Sequence, residues 1–188
     1  MIYFLSDAHL GSLLVNDKRA HEKKLVDWLD RVKTDATVIY LLGDIFDFWF
    51  EYKTVVPKGF VRVLGKLAEL TDSGIEIHFF IGNHDIWTFG YLENEIGLIV
   101  HKEPATIQLG TKKFFLAHGD GLYVEEKGFK IIRKIFHSRT AQKLFRCLSM
   151  CFRIIHPTKS STPNFISLMP SDSKNTSLLP VLTDWWQW

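Results

Sequence analysis

The sequence predicts an α/β protein whose sheet is parallel or mixed and is covered by helices, and two observations support this fold class. An apolar segment, a loop and a helical pattern follow one another three times along the first half of the chain. This order is typical of a sheet with helices packed on its faces. Four apolar segments also end in polar motifs of carboxylate, imidazole and amide side chains. Ligands of such sheets bind at the carboxyl ends of the strands, so we expect one site there.

Short segments rich in β-branched and aromatic residues are predicted to form the strands of the sheet. They are Ile2–Ser6, Thr37–Leu42 and Ile75–Ile81. A short helix is expected after the third strand and should end near Asn94 to Gly97. Two later segments, Thr106–Leu109 and Lys113–Ala117, flank Gly110-Thr111 and predict a hairpin.

Two longer amphipathic helices are predicted between the strands. The first has Asn16 or Asp17 as its N-cap and runs to about Lys33. Its inward face is predicted to consist of Ala20, Leu25, Trp28, Leu29 and Val32. The second ends at Gly74, which is a typical C-cap residue. Its apolar residues at helical spacing are Phe60, Val63, Leu64, Leu67 and Leu70.

Length and composition indicate one globular domain, since 46% of the 188 residues are hydrophobic and 23% are charged. No apolar segment approaches the ~18 residues that a membrane helix needs. The first strand begins at the second residue, which leaves no room for a signal peptide. We therefore expect a cytoplasmic protein. Cys147 and Cys151 stand four apart in a helical pattern and are interpreted as buried thiols, with a metal site as the alternative.

The first two polar motifs contain carboxylates that could bind cations. Asp7 and His9 stand two apart, so in an extended chain they point to the same side and could hold one cation. Asp44 directly follows Gly43 at the end of a buried strand, and its two oxygens could bridge two metal ions ~3.5–4 Å apart. A short polar loop and a turn aspartate are the respective alternatives. Asp47 is interpreted as a structural or supporting carboxylate.

Gly82-Asn83-His84-Asp85 is the most informative motif. The amide oxygen of Asn83 suits a cation that already holds carboxylates. His84 could act as an acid, or donate to a phosphoryl oxygen, when it is oriented by a carboxylate such as Asp85. His118, in the fourth motif, could supply an imidazole to a second cation. The set predicts a two-metal phosphoester hydrolase with His84 and Asp85 as catalytic residues.

Taken together, the motifs resemble the signature of the calcineurin-like metallophosphoesterases. They are Asp7-x-His9, Gly43-Asp44-x-x-Asp47, Gly82-Asn83-His84-Asp85 and His118-Gly119-Asp120. Within that superfamily the chain is most similar to the UDP-2,3-diacylglucosamine diphosphatases of lipid A biosynthesis. The features that carry this similarity are Ser6–Gly11, the aromatic segment Gly43–Trp49 and the basic-hydrophobic segment after His118–Leu122. The resemblance covers residues 1–155 and implies an α/β/β/α sandwich with a helical lid-like insertion.

The resemblance also implies a site for two divalent metal ions, Mn²⁺ or else Mg²⁺. The implied ligands are Asp7, His9, Asp44, Asn83 and His118. Asp7, His9 and Asp44 would hold the first cation, and Asp44, Asn83 and His118 would hold the second, with Asp44 as the bridge. Asn83 and His84 would face the phosphate, and Glu126 would contact the substrate. The implied reaction is attack of water on the pyrophosphate of UDP-2,3-diacylglucosamine, which releases UMP and 2,3-diacylglucosamine 1-phosphate. Another phosphoesterase of the superfamily is the alternative.

The segment 125–155 is basic and hydrophobic: from Lys127 to Ile155 there are eight Lys or Arg residues and no Asp or Glu. The resemblance implies that its apolar side chains cover acyl chains, while Lys130 and Arg133 meet phosphates or anionic lipid head groups. Peripheral contact with the anionic surface of the inner membrane would follow. We expect no nucleic acid partner, because no nucleic-acid-binding motif accompanies the basic residues of this segment. A surface helical hairpin with a solvated basic face is the alternative.

The composition changes after His156. Residues 156–188 hold four of the six prolines and are predicted to form an irregular Ser/Thr/Pro-rich tail beside a domain over 1–155. The late Gly-His-x-His of the superfamily, which gives one imidazole to each metal, does not occur in the 188 residues. We therefore expect a truncation or a frame change near residues 156–160, with a natural short form as the alternative. An incomplete sandwich and little activity would follow. A non-catalytic fragment with a weakened metal site is the corresponding alternative.

Overall fold

The computed structural model describes residues 1–52, 54–119, 138 and 140–144. Its central sheet has four parallel strands in the order β1-β2-β3-β4. They are β1 (Ile2–Leu5), β2 (Val38–Leu42), β3 (Glu76–Phe80) and β4 (Ile99–His101). The three predicted strands are confirmed to within one residue at each end. Strand β4 was not predicted, because three residues are too few to show an alternating pattern.

Two helices lie against one face of this sheet. They are α1 (Lys18–Val32) and α2 (Val61–Asp72), and a third, α3 (Tyr91–Asn94), is a single turn. The choice between two caps for α1 is settled, since Oδ1 of Asp17 accepts the backbone N–H of Ala20 at 2.9 Å. Gly74 lies just beyond α2 with φ of +90° and ends it as predicted. The main hydrophobic core lies between these helices and the sheet.

The predicted inward face of α1 needs one correction. Ala20 is exposed, and Glu22 is buried instead. Its Oε1 accepts the backbone N–H of Arg62 at 2.8 Å and of Val63 at 3.3 Å, and its Oε2 lies 3.2 Å from the Arg62 guanidinium. The carboxylate therefore caps the N-terminus of α2, whose own N-cap residue, Phe60, has no side-chain acceptor.

The other face of the sheet is covered by a hairpin. Strands β5 (Ala105–Leu109) and β6 (Lys112–Leu116) pair in antiparallel fashion, which confirms the predicted hairpin. Its apolar side chains pack on Tyr40, Leu42 and Phe80 of the central sheet. The described layers are thus helix, sheet and sheet, which is the order of the first three layers of an α/β/β/α sandwich.

Several predictions lie outside the described residues. Residues 140–144 are helical, and the N–H of Gln142 donates to the carbonyl of Ser138 at 3.0 Å. The rest of the segment 125–155, with Glu126, Lys130 and Arg133, is not among the described residues, nor are the two cysteines and the tail 156–188. The predicted division into a domain and a tail stays a prediction. Among the described helices, none combines the length and the apolarity needed to cross a bilayer.

Candidate metal centre

The loops that follow β1, β2 and β3 lie side by side at the carboxyl edge of the sheet. The N–H of Asp7 donates to the carbonyl of Gly43 at 3.1 Å, and that of His9 donates to the carbonyl of Asp44 at 2.9 Å. The N–H of His84 donates to Oδ1 of Asp44 at 3.0 Å and so ties in the third loop. The polar ends of these strands therefore lie close together, as the fold class led us to expect.

Asp44 is the centre of the cluster. Its potential ligand atoms group with those of Asp7 and His118 on one side and with those of His9 and His84 on the other, all within 4.8 Å in each group. Its Oδ2 lies 3.3 Å from Nε2 of His118 and 3.8 Å from Nε2 of His9. One carboxylate is thus shared by two donor groups. The division of the ligands between two cations stays a prediction.

The imidazole of His118 is oriented by the backbone. Its Nδ1 donates to the carbonyl of Leu42 at 2.9 Å, so in the neutral ring the lone pair is on Nε2, which faces Asp44. Histidines that bind metals are usually held in this way, with the second nitrogen donating to a carbonyl or a carboxylate. The contact with Leu42 therefore prepares His118 to act as a ligand.

Asp47 supports two histidines of the cluster. Its backbone carbonyl accepts a hydrogen bond from Nδ1 of His84 at 2.7 Å, and its Oδ1 lies 3.4 Å from Nδ1 of His9. Burial alone would lower the pKa of His9, but the carboxylates of Asp47, Asp44 and Asp7 raise it above its ordinary value. The position agrees with the interpretation of Asp47 as a supporting carboxylate. The Gly-Asp-x-x-Asp spacing was the only sequence signal for it.

The expected contact between Asp85 and His84 is wrong. The Asp85 carboxylate is completely buried and accepts backbone N–H groups of both neighbouring loops. His84 is instead about one-third exposed and its Nδ1 contacts Asp47, so the two adjacent side chains point to opposite sides of the chain. Burial and the nearby Asp44 carboxylate raise the pKa of Asp85 to about 6. The catalytic roles of His84 and Asp85 stay predictions, although Asp85 does not make the contact with His84 on which its role was based.

The backbone at this edge is strained. Asp7, His9 and Asp44 have φ of +54°, +41° and +52°, which costs a residue with a side chain ~1–2 kcal/mol. A Cβ on Gly82 would lie 2.1 Å from Oδ1 of Asp44, and one on Gly43 would lie 2.6 Å from Nδ1 of His118. Both glycines are therefore required by close approach. Strain of this kind is commonly found at functional sites.

Asn83 lies half-buried in the third loop, between two residues whose backbone atoms contact the carboxylates of Asp85 and Asp44. Its side chain makes no hydrogen bond with the part of the chain that the structure describes, so its role as a ligand stays a prediction. Of the fourth motif, His118 contacts the cluster, and Asp120 lies outside the described residues.

Comparison with known proteins identifies the family. The family model of the calcineurin-like phosphoesterases matches residues 1–164. The chain belongs to the calcineurin-like phosphoesterases. Enzymes of this family use divalent metal ions, and the donor groups around Asp44 are candidate ligands for them.

Curated relatives within this family bear the name UDP-2,3-diacylglucosamine hydrolase. The protein of Porphyromonas gingivalis is 49% identical over 145 residues, which are 77% of this chain and 55% of the relative. That of Haemophilus influenzae is 30% identical over 156 residues, 81% of this chain and 62% of the relative. That of Hamiltonella defensa is 34% identical over 151 residues, 80% of this chain and 57% of the relative.

The chain thus spans between 55% and 62% of the length of these three relatives. A solved structure of a protein of unknown function from Aquifex aeolicus covers 72% of this chain and 72% of its own at 17% identity. Its TM-score is 0.39, a likeness too weak to bear on the fold.

The residues present fit the metal ions of a calcineurin-like phosphoesterase. Oδ2 of Asp44 is buried and receives no hydrogen bond from any described residue. A buried anionic oxygen without a donor is costly, and a cation beside it removes that cost. In the neutral ring, the facing Nε2 of His118 carries a lone pair. This nitrogen is a second potential metal ligand beside Oδ2 of Asp44. The chemistry of the cluster therefore matches a cation site.

Proposed function

We propose that the chain carries the metal centre of a hydrolase that cleaves the pyrophosphate bond of UDP-2,3-diacylglucosamine, with UMP and 2,3-diacylglucosamine 1-phosphate as products. The observation that supports the chemistry is the buried Asp44 carboxylate, whose atoms lie among two groups of donors. The substrate is proposed from the names of the relatives, of which the Porphyromonas gingivalis protein is 49% identical. Since the chain spans only part of these relatives, the activity is a proposal for the whole protein.

The proposed cofactors are two divalent cations, Mn²⁺ or else Mg²⁺. The carboxylate and amide oxygens of the proposed ligand set, which contains no thiolate, suit these hard cations, while its imidazoles leave Zn²⁺ or Fe as alternatives. The proposed ligands are Asp7, His9, Asp44, Asn83 and His118. A bound pair of cations supplies a more acidic water and takes up charge on the phosphoryl oxygens. Asp44 would hold the two cations together, because it is the only residue that belongs to both described donor groups.

His84 is proposed to contact the phosphate. Its Nδ1 is occupied by the carbonyl of Asp47, which leaves Nε2 to donate to a phosphoryl or leaving-group oxygen when the ring is protonated. Its side chain is 34% exposed, so a substrate can reach it. His9 packs edge-on against this ring, with centroids 4.9 Å apart, and helps to keep it in place.

The remaining substrate contacts are proposed for the segment 125–155. Glu126 would contact the substrate, and Lys130 and Arg133 would meet its phosphates or anionic lipid head groups. The charge of this segment supports the proposal, since eight Lys or Arg residues occur from Lys127 to Ile155 without any Asp or Glu. Peripheral contact with the anionic face of the inner membrane is part of the same proposal.

For the 188 residues by themselves, a second candidate is a non-catalytic fragment that keeps a weakened metal site. The observation that favours it is the lack of a Gly-His-x-His motif in the 188 residues. Each metal would then rely on the ligands named above, with one imidazole fewer than in the superfamily. This candidate predicts weak Mn²⁺ binding without hydrolysis.

The two candidates are separated by assaying UMP release from UDP-2,3-diacylglucosamine with purified protein and added Mn²⁺. Release that depends on Mn²⁺ and disappears in Asp44→Asn supports the hydrolase. Mn²⁺ binding without UMP release supports the non-catalytic candidate. A UDP-sugar without acyl chains serves as the substrate control, and equal cleavage of both compounds would point to a less specific phosphoesterase.

A further inference from the structure

Asp85 accepts hydrogen bonds from backbone N–H groups of two loops. In its own loop it accepts the N–H of Gly82 at 2.7 Å. In the loop after β2 it accepts those of Ile45 at 2.8 Å and of Asp44 and Phe46 at 3.3 Å each. Three successive N–H groups that converge on one carboxylate form an anion-binding nest. The buried side chain of Asp85 thus binds the backbone around Asp44.

Asp44 makes the reverse connection. Its Oδ1 accepts the N–H of His84, which is the residue next to Asp85. Each loop therefore places one carboxylate on the backbone of the other. Gly43 and Gly82 allow this closeness, because a Cβ on Gly43 would lie 2.9 Å from the Cα of Gly82. With Oδ1 of Asp44 engaged in this way, Oδ2 is left to face the histidines.

We propose that Asp85 is a positioning residue of the metal centre. Its carboxylate holds Asp44 in the left-handed conformation that turns Oδ2 toward His118, and it thereby sets the affinity of the site for divalent cations. This role replaces the expected contact with His84. The inference depends on the proposed two-metal site but concerns a residue that touches neither cation nor substrate.

The conformation of Asp44 explains why such support is needed. With φ of +52°, Asp44 is in a region that a residue with a side chain enters only when its surroundings compensate the strain. In this turn the three N–H groups of Asp44, Ile45 and Phe46 all reach one acceptor. Loss of the acceptor would let the turn relax. The Asp44 carboxylate would then rotate away from the donor cluster.

The test compares Asp85→Asn with a matched control, Glu22→Gln. Both replace a buried carboxylate that accepts backbone N–H groups, but Glu22 caps α2 and is not hydrogen-bonded to either metal-site loop. Asp85→Asn replaces one acceptor oxygen by an N–H₂ group that faces backbone N–H donors. The hydrogen bonds of the nest would therefore be lost, while the volume of the side chain would hardly change. Mn²⁺ binding is measured by titration calorimetry on the folded 188-residue protein, with folding checked by near-ultraviolet circular dichroism.

We expect Asp85→Asn to weaken Mn²⁺ binding by about ten- to a hundredfold, the range found when groups that orient metal ligands are removed. Glu22→Gln is expected to bind Mn²⁺ like the unaltered protein. Equal affinity of Asp85→Asn and the unaltered protein would overturn the positioning role while leaving the metal site standing. Failure of the unaltered protein to bind Mn²⁺ would overturn the proposed function, and this inference with it.

If Asp85→Asn does not fold, amide hydrogen exchange in the unaltered protein decides the question. Mn²⁺ is expected to slow exchange at Gly82, Ile45 and Phe46, whose N–H groups Asp85 holds, more than at Arg62 and Val63, whose N–H groups Glu22 holds. Equal slowing at both sets would refute the proposal.

Discussion

Nε2 of His118 lies 3.3 Å from Oδ2 of Asp44, and both side chains are almost completely buried. Because Nδ1 of His118 donates to the carbonyl of Leu42, the two facing atoms are both acceptors when the ring is neutral. A cation or a proton between them is needed to make the contact favourable. Burial would raise the pKa of Asp44, but a proton on Nε2 of His118, which would donate to this carboxylate, and the charge of His84 hold it below its ordinary value. The carboxylate is thus kept ionised for a cation.

The first prediction concerns Asp44 itself. Asp44→Asn removes the charge that both donor groups share, so Mn²⁺ should no longer raise the thermal unfolding midpoint of the protein. In the unaltered protein we expect the midpoint to rise with Mn²⁺ concentration and to fall again with a chelator. Differential scanning fluorimetry with and without Mn²⁺ measures both effects. A Mn²⁺-dependent rise of the same size in Asp44→Asn would contradict the central place of this residue.

The second prediction compares two glycines. Gly82→Ala would place a Cβ 2.1 Å from Oδ1 of Asp44, so we expect a loss of about 1–3 kcal/mol in the free energy of unfolding and weaker Mn²⁺ binding. At Gly65, in α2, nothing lies within 4 Å of a Cβ. Gly65→Ala should therefore stabilise the protein by about 0.5–1 kcal/mol, because alanine favours helix. Urea unfolding measures both, and a Gly82→Ala variant as stable as Gly65→Ala would refute the close approach.

The third prediction concerns the cap of α2. Glu22→Ala leaves the N–H groups of Arg62 and Val63 without their acceptor, and should cost about 1–3 kcal/mol of unfolding free energy. Lys33→Ala is the control, because Lys33 forms its ion pairs with Asp30 and Glu69 at an exposed surface, where such pairs contribute little. Its urea midpoint should be nearly unchanged. Equal losses in the two variants would argue against the capping role of Glu22.

The fourth prediction is a pH dependence on the face of the sheet away from α1 and α2. Nδ1 of His78 and Nε2 of His101 lie 2.7 Å apart, and His101 stacks on Phe80 with centroids 4.3 Å apart. Burial, and then the charge of His78, lower the pKa of His101 below 6.5. The folded protein therefore disfavours the protonated ring. The stability due to neutral His101 is lost as the pH falls below the pKa of an ordinary histidine.

His101→Phe keeps the stacking on Phe80 but cannot be protonated. Unfolding free energies of both proteins are measured from about pH 8 to about pH 5, across the titration of an ordinary histidine. We expect the unaltered protein to lose more stability than His101→Phe over this range. The difference between the two curves isolates His101 from His9, whose raised pKa acts in the opposite direction. Parallel curves would contradict the prediction.

Much of the fold was predictable from local patterns. The strands β1, β2 and β3 follow from short apolar segments, and the start of α1 and the end of α2 follow from a capping aspartate and a glycine, because each signal depends on neighbours within a few residues. The burial of Glu22 was not predictable. Its partners, Arg62 and Val63, are 40 and 41 residues away. The residues around Glu22 therefore give no indication that its carboxylate accepts these N–H groups.

The sequence by itself determined which chemical groups stand at the strand ends, because strand length and apolar pattern decide where each chain segment leaves the sheet. Tertiary structure decided which contacts each of those groups makes. Asp85 turned inward to backbone N–H groups 40 residues away, and the carbonyl of Asp47 oriented His84. Such choices depend on which loop lies beside which, and on how little space Gly43 and Gly82 leave. Local pattern carries no information on that packing, since it arises only when the parallel strands align.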